Sequence, residues 1–233
     1  MPRVSPLVEA HLLTQARLRA IVRGAVVTFY RDMGTYNEDN VDYFVDAVTP
    51  VIHAGQMRAI EFTEAFVVRQ TKRAAIGLAV SGLSGAAVRG GVAMAEVYRR
   101  PFVTVWSALD KGEAWEDAVA AGEERLAATA EMDVQLSHRA AYDALQQEIP
   151  EIKGFRRAAN AGACQFCRTV DGAYVKSANA MPLHNRCGCG LVPIMHDNFT
   201  VTPPPESVAV HEHGELGPLL TDPAHDFTSP SDI

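Results

Sequence analysis

Glu113-Ala-Trp-Glu-Asp-Ala-Val-Ala-Ala-Gly-Glu-Glu-Arg-Leu-Ala-Ala-Thr-Ala-Glu-Met-Asp-Val-Gln-Leu-Ser-His-Arg-Ala-Ala-Tyr-Asp-Ala-Leu-Gln-Gln147 is the strongest helical stretch of the chain. Ala, Glu, Arg and Leu lose the least conformational freedom in a helix, and they dominate it. Pro150 closes it. Reading outward from this stretch, residues from about 7 to about 150 carry helical patterning with short links, and no convincing strand. Leu7 opens a run that extends to about Arg31; Ser5 can cap it, Pro6 suits its first position, and Gly34 stops it. A second helix starts near Asn37, with Val41, Phe44, Val45, Val48 and Ile52 on a 3.6-residue period and Pro50 kinking or restarting it. Met57–Ile76 reads as a third helical stretch. A further helix is expected over about 101–110, with Pro101 pushing Arg100 out of helical geometry.

The glycine-rich segment Ser81–Gly91 invites a phosphate-loop reading. Gly85 and Gly90 are followed by Gly91 and Val92 rather than by Lys and Ser or Thr, so it reads as an inter-helix connection. From about 152 to 197 helical periodicity is lost, and Gly, Cys, aromatic and β-branched residues appear in short groups. Val170-Asp-Gly-Ala-Tyr-Val175 carries a turn signal beside β-formers and suggests one hairpin. From 198 onward Thr202-Pro-Pro-Pro-Glu206 stiffens a segment rich in His, Pro, Gly, Asp and Ser, expected to be extended and poorly ordered alone. Leu216–Leu220 and Phe227 are apolar spots that could anchor it on a partner or on its own body. The expected fold is mainly α: a helical body over 1–151, a small loop-rich Cys/His zinc module over 152–197, and an extended acidic, Pro-rich tail over 198–233.

Composition sharpens this division. The chain has 233 residues, 48% of them hydrophobic but only 7% aromatic, so its core is built mostly of Ala, Val and Leu. No run approaches the ~18–20 apolar residues of a membrane span, and the N-terminus lacks signal-peptide character. The net charge of −7 is not spread evenly: residues 1–186 hold 21 basic and 21 acidic groups, and the last 47 residues hold seven acids and no Lys or Arg. A neutral body argues against a broad duplex-DNA-binding face.

All four cysteines lie between 164 and 189. They read Cys164-Gln-Phe-Cys167, then 16 residues, then His184-Asn-Arg-Cys187-Gly-Cys189. Two thiolates on a tight knuckle grip one side of a metal, and a second group of donors from a distant turn grips the other; zinc takes four such ligands at a tetrahedron. A module of about 40 residues has too little core to fold alone, so a structural zinc would supply much of its folding energy. Cys164, Cys167 and His184 are expected ligands, with the fourth from either Cys187 or Cys189. Two disulfides, a redox pair at Cys164 and Cys167, and a catalytic zinc are the competing readings. A disulfide pair needs an oxidising compartment, the redox pair lacks its βαβ context, and a catalytic zinc needs an acid or base in a pocket. Asp171 is nearby but better suited to the turn.

With these residues in view, a resemblance emerges. Ala163-Cys-Gln-Phe-Cys-Arg-Thr-Val-Asp-Gly172, followed by Met181-Pro-Leu-His-Asn-Arg-Cys-Gly-Cys-Gly190, resembles the C-terminal signature of the Mu F-like minor head proteins of tailed bacteriophages. Asp171, Gly172, Tyr174, Pro182, Leu183, His184, Cys187 and Cys189 match that pattern in order. The resemblance covers about 40 residues; the helical body is similar in kind only. It also resembles portal-adjacent minor capsid proteins of actinobacterial phages. The resemblance implies a non-enzymatic virion protein, located in the capsid interior or at the portal vertex after assembly in the host cytoplasm. It implies a role in head morphogenesis, DNA packaging or ejection, with the portal or the major capsid protein as partner and contact with packaged DNA.

Two other readings compete. A prohead (capsid maturation) protease needs a nucleophile and a base. Ser81, Ser84, Ser107 and Ser137 are available, with His11, His53 and His138, but Ser137 and His138 are adjacent on a helix, diverge by ~100°, and no Gly-x-Ser-x-Gly elbow occurs. A zinc-stabilised nucleic-acid-binding module would use Lys153, Arg156, Arg157, Arg168, Lys176 and Arg186, set against the single acid Asp171 between 152 and 190. The bland reading of that excess is a solvated face.

Overall fold

The computed structural model describes residues 5–160, 162–184 and 189–221, and of Phe166 the backbone alone. The architecture is mainly α. Four long helices, α1 (Pro6–Asp32), α2 (Glu38–Thr71), α3 (Met94–Asp110) and α4 (Trp115–Glu148), form the body. The Ser5 side chain accepts the Val8 N–H to cap α1, and Asn37 accepts the Asn40 N–H to cap α2. Both starts follow the sequence signals.

Two prolines behave differently from expectation. α2 continues through Pro50 to Thr71, merging the second and third expected helices. Pro50 is exposed, so the Asp46 carbonyl that loses its intrahelical partner can meet water. α3 begins at Met94 and runs through Pro101, so Arg100 is helical, contrary to the expected break. Tertiary packing overrides the local preference: Val97, Tyr98, Pro101, Phe102 and Val105 are all buried on one face of α3. The Ser81–Gly91 connection is two short 3-10 turns rather than a loose link, tied down by the Gly85 N–H donating to the Gln56 side chain.

α4 is the axis of the body. From Ala118 to Val134 it packs Ala118, Leu126, Ala130 and Val134 with Val22, Val26 and Tyr30 of α1, Phe44, Val48 and Ile52 of α2, and Phe102 of α3. Two helical glycines mark the tightest crossings. A Cβ at Gly122 would stand 2.4 Å from Tyr30 Oη, 2.5 Å from Val105 Cγ2 and 2.9 Å from the Pro101 carbonyl oxygen; one at Gly55 would stand 2.5 Å from Val22 Cγ2.

The second half of α4 meets a small β structure. β1 (Gly154–Ala159), β2 (Tyr174–Val175) and β3 (Cys189–Ile194) form an antiparallel sheet in the order β2-β1-β3. A five-residue helix, α5 (Gln165–Thr169), lies between β1 and β2. Where one hairpin was expected, three strands are found. The Asp-Gly turn is real, with Gly172 at φ 82° and Asp171 Oδ1 accepting the Ala159 N–H, but the strand it launches pairs with β1, upstream of α5.

The segment expected to be extended throughout has no helix or strand over 198–205, turns at 205–208 with the Val208 N–H donating to the Pro205 carbonyl, and then forms a hairpin of β4 (Ala209–His213) and β5 (Gly217–Thr221). Leu216 and Leu219, the expected anchors, are buried on the body. Phe227 lies outside the described residues. A single apolar cluster joins Val8 and Leu12 of α1, Phe66 of α2, Leu136 and Leu145 of α4, Phe155 and Leu191 of the sheet, and Leu219 of the hairpin. At about 1.5–3 kcal/mol per fully buried large apolar side chain, this shared cluster is a principal source of stability for all three stretches.

Candidate metal centre

The knuckle is built by α5. Cys164 immediately precedes it and Cys167 lies in its first turn, so a three-residue spacing brings both thiols to one side. The Arg168 N–H closes the turn on the Cys164 carbonyl at 3.0 Å. The third donor arrives on another segment. Met181–Leu183 is pinned from both sides: Arg157 Nη1 donates to the Pro182 carbonyl at 2.8 Å, and Leu183 exchanges backbone hydrogen bonds with the hairpin. His184 follows at once, with Nε2 3.2 Å from Cys164 Sγ and 2.9 Å from Cys167 Sγ.

The three donor atoms lie within 4.8 Å of one another, and this group could hold a metal ion. A tetrahedral ion with sulfur at about 2.3 Å and nitrogen at about 2.0 Å keeps its donors roughly 3.5 Å apart, close to this separation. The donor chemistry, two thiols and an imidazole, suits a borderline-soft cation. Cys164 is exposed and Cys167 buried, so the group sits at the rim of the core.

Of the two candidates for a fourth position, Cys187 lies outside the described residues. Cys189 is the first residue of β3, opposite Ala159, and it is fully buried within the shared apolar cluster. It is not one of the three residues whose donor atoms gather.

Residues that hold this centre in place were not legible as such. Arg157, counted among the surface cations, is only 2% exposed. It is the largest fully buried side chain among the described residues and supports the segment bearing His184, which removes it from any phosphate-binding face. Gln135 of α4 donates to the Cys189 carbonyl at 2.8 Å and accepts from Arg19 of α1, so the bundle caps the outer edge of β3. Of the remaining cations, Lys176 stands 4.9 Å above the Phe199 ring, Arg168 is exposed, and Arg186 lies outside the described residues.

Of the residues considered for proteolysis, His11, Ser84, Ser137 and His138 are buried in the interior, and Ser81, Ser107 and His53 are exposed. His11 Nε2 is 2.7 Å from Tyr142 Oη and 2.8 Å from Gln15 Nε2, and His138 Nδ1 is 2.7 Å from Thr63 Oγ1. Burial lowers the pKa of His11 to about 4 and that of His138 well below its usual value, so both are neutral at pH 7. Ser137 is fully buried, and the Ser84 hydroxyl donates to the Val80 carbonyl. No described helix is long and apolar enough to cross a membrane. No family model, curated protein or solved structure matches the chain.

Proposed function

We propose that this chain is a minor head component of a tailed bacteriophage, a structural protein that acts near the portal during head morphogenesis and is stabilised by one structural zinc. The observation that carries the reading is the coincidence of two things. Cys164, Cys167 and His184 gather as a metal-ligand group. The residues around them, Asp171-Gly172, Tyr174 and Pro182-Leu183-His184 followed by Cys187 and Cys189, stand in the order of the Mu F-like signature.

In this reading zinc is bound by Cys164 Sγ, Cys167 Sγ, His184 Nε2 and the thiolate of Cys187. Cys187 is favoured because the Cys189 thiol is not among the three donors that gather. A closed four-ligand site leaves no open position for substrate, which suits an architectural role. The helical body is then the part that docks on the portal or the major capsid protein, with packaged DNA as a neighbour.

The test is quantitative mass spectrometry of proheads and mature particles purified from the strain that carries the gene. The expected result is an intact chain present at a small fraction of the copy number of the major capsid protein. Its absence from both particles overturns the reading. Specific cleavage of the capsid protein on co-expression, abolished by a point substitution in this chain, would replace it with the protease reading.

A further inference from the structure

His184 is carried by a segment that the C-terminal hairpin grips directly. One residue earlier, the Leu183 N–H donates to the Pro218 carbonyl at 2.9 Å, and the Leu183 carbonyl accepts the Leu220 N–H at 2.5 Å. These two bonds form a parallel bridge, so Leu183 is a one-residue extension of the hairpin's edge. Arg139 of α4 spans the same seam, donating to the Leu216 carbonyl and, at 3.5 Å, to the Met181 carbonyl. Leu183 and Leu219 share their apolar cluster with Cys167.

The other end of the hairpin is fastened by charge. Glu215, in the turn between β4 and β5, accepts two hydrogen bonds from Arg100 at 2.9 and 2.6 Å and lies 3.5 Å from Arg89. Arg89 is itself buried and paired with Asp133, which also accepts from Tyr98 Oη at 2.6 Å. This is where one acid of the cation-free C-terminal stretch meets the body. Between β3 and the hairpin, residues 198–208 form no helix or strand; the segment is tied to β2 by the Thr202 N–H donating to the Tyr174 carbonyl at 3.0 Å and the Thr202 hydroxyl accepting the Tyr174 N–H at 3.1 Å.

We infer that the hairpin is a metal-locked strap: occupancy of the Cys164, Cys167 and His184 centre and docking of residues 209–221 on the helical body are coupled, each strengthening the other. A metal that fixes His184 against the two thiols also fixes the Leu183 edge on which β5 pairs. Without it, segment 181–184 loses its anchor on the knuckle, and the two backbone bonds to β5 lose a rigid partner. Linkage is reciprocal, so loosening the Glu215 end must in turn weaken metal binding. The inference rests on the metal reading above.

The experiment is amide hydrogen exchange on the full chain, zinc-loaded and after removal of zinc with EDTA. Amides of 217–221, Leu220 foremost, are expected to exchange roughly tenfold faster or more without zinc, a larger factor than for the amides of α3 and the first half of α4. Reciprocally, Glu215→Gln and Arg100→Ala are each expected to retain the parent's helical circular dichroism and to lower zinc affinity by roughly fivefold or more, measured by competition with a chromogenic chelator. Zinc uptake with identical exchange at 217–221 in the two states, or parental zinc affinity in both variants, overturns the coupling and leaves the metal site standing. A chain that takes up no zinc overturns the metal site and the strap together.

Discussion

Cys164 and Cys189 make opposite predictions at the scale of the single residue. Cys164→Ser removes a metal donor at an exposed position, so zinc content measured by plasma mass spectrometry is expected to fall from about one per chain to near zero. Cys189→Ser puts a hydroxyl into an apolar cluster at a fully buried site. It is expected to keep zinc and to lose about 1–3 kcal/mol of stability in urea unfolding. Zinc loss in Cys189→Ser would instead assign the fourth ligand to Cys189. The buried histidines predict a pH dependence. Their folded pKa values are depressed, so the unfolded chain takes up protons first as pH falls. Stability is full above about pH 6.5 and is lost toward pH 4, by about 3 kcal/mol for His11 alone. Below pH 4.5 Glu64 adds to the loss. Partial burial disfavours its charged form, but the N–H groups of Gly77, Leu78 and Ile76 outweigh that and hold its pKa below the usual value. Urea midpoints from pH 7 to 4 in His11→Gln should fall less steeply than in the parent.

At the scale of elements, Gly122 contradicts helix propensity. Alanine there should favour an isolated helix by about 1 kcal/mol. In the folded chain its Cβ would overlap Tyr30, Val105 and the Pro101 carbonyl. Gly122→Ala is therefore expected to destabilise by about 1–3 kcal/mol, read from the thermal midpoint. The prolines illustrate the same limit of local reasoning. Pro101 reads as a helix break because it lacks a donor and crowds the preceding turn, yet α3 passes through it, held by a buried face of five side chains from Val97 to Val105. The cap at Ser5 and the helix start near Asn37 were legible because a capping bond is made within three residues of its own side chain.

Over the whole molecule, the sequence suggests a zinc module that melts by itself when the metal is removed. The structure predicts another outcome, because the sheet, the hairpin and the second half of α4 share one apolar cluster. A chelator is expected to lower the main unfolding transition in calorimetry rather than to split off an early one. A separate low-temperature transition in the chelated protein would show that the cluster is not cooperative. The charge asymmetry acquires a location as well. Glu215, one of the seven acids beyond residue 186, closes the hairpin onto Arg100 and Arg89.

What the sequence determined by itself is what depends on neighbours a few residues apart. This covers the mainly helical body, its capped starts, the Asp-Gly turn, and a Cys-x2-Cys knuckle with a histidine placed to complete a metal-ligand group. Such features follow from bonds and periodicities that close within one or two turns of chain. What only the tertiary structure decided involves pairs far apart in sequence. β2 pairs upstream with β1; Arg157 turns inward to hold Pro182; Gln135 caps β3 from the bundle; and Leu183 joins the metal-bearing segment to Leu219. None of these has a local signature, because each is chosen by which surfaces are left to bury and which backbone groups still need partners once the helices have packed.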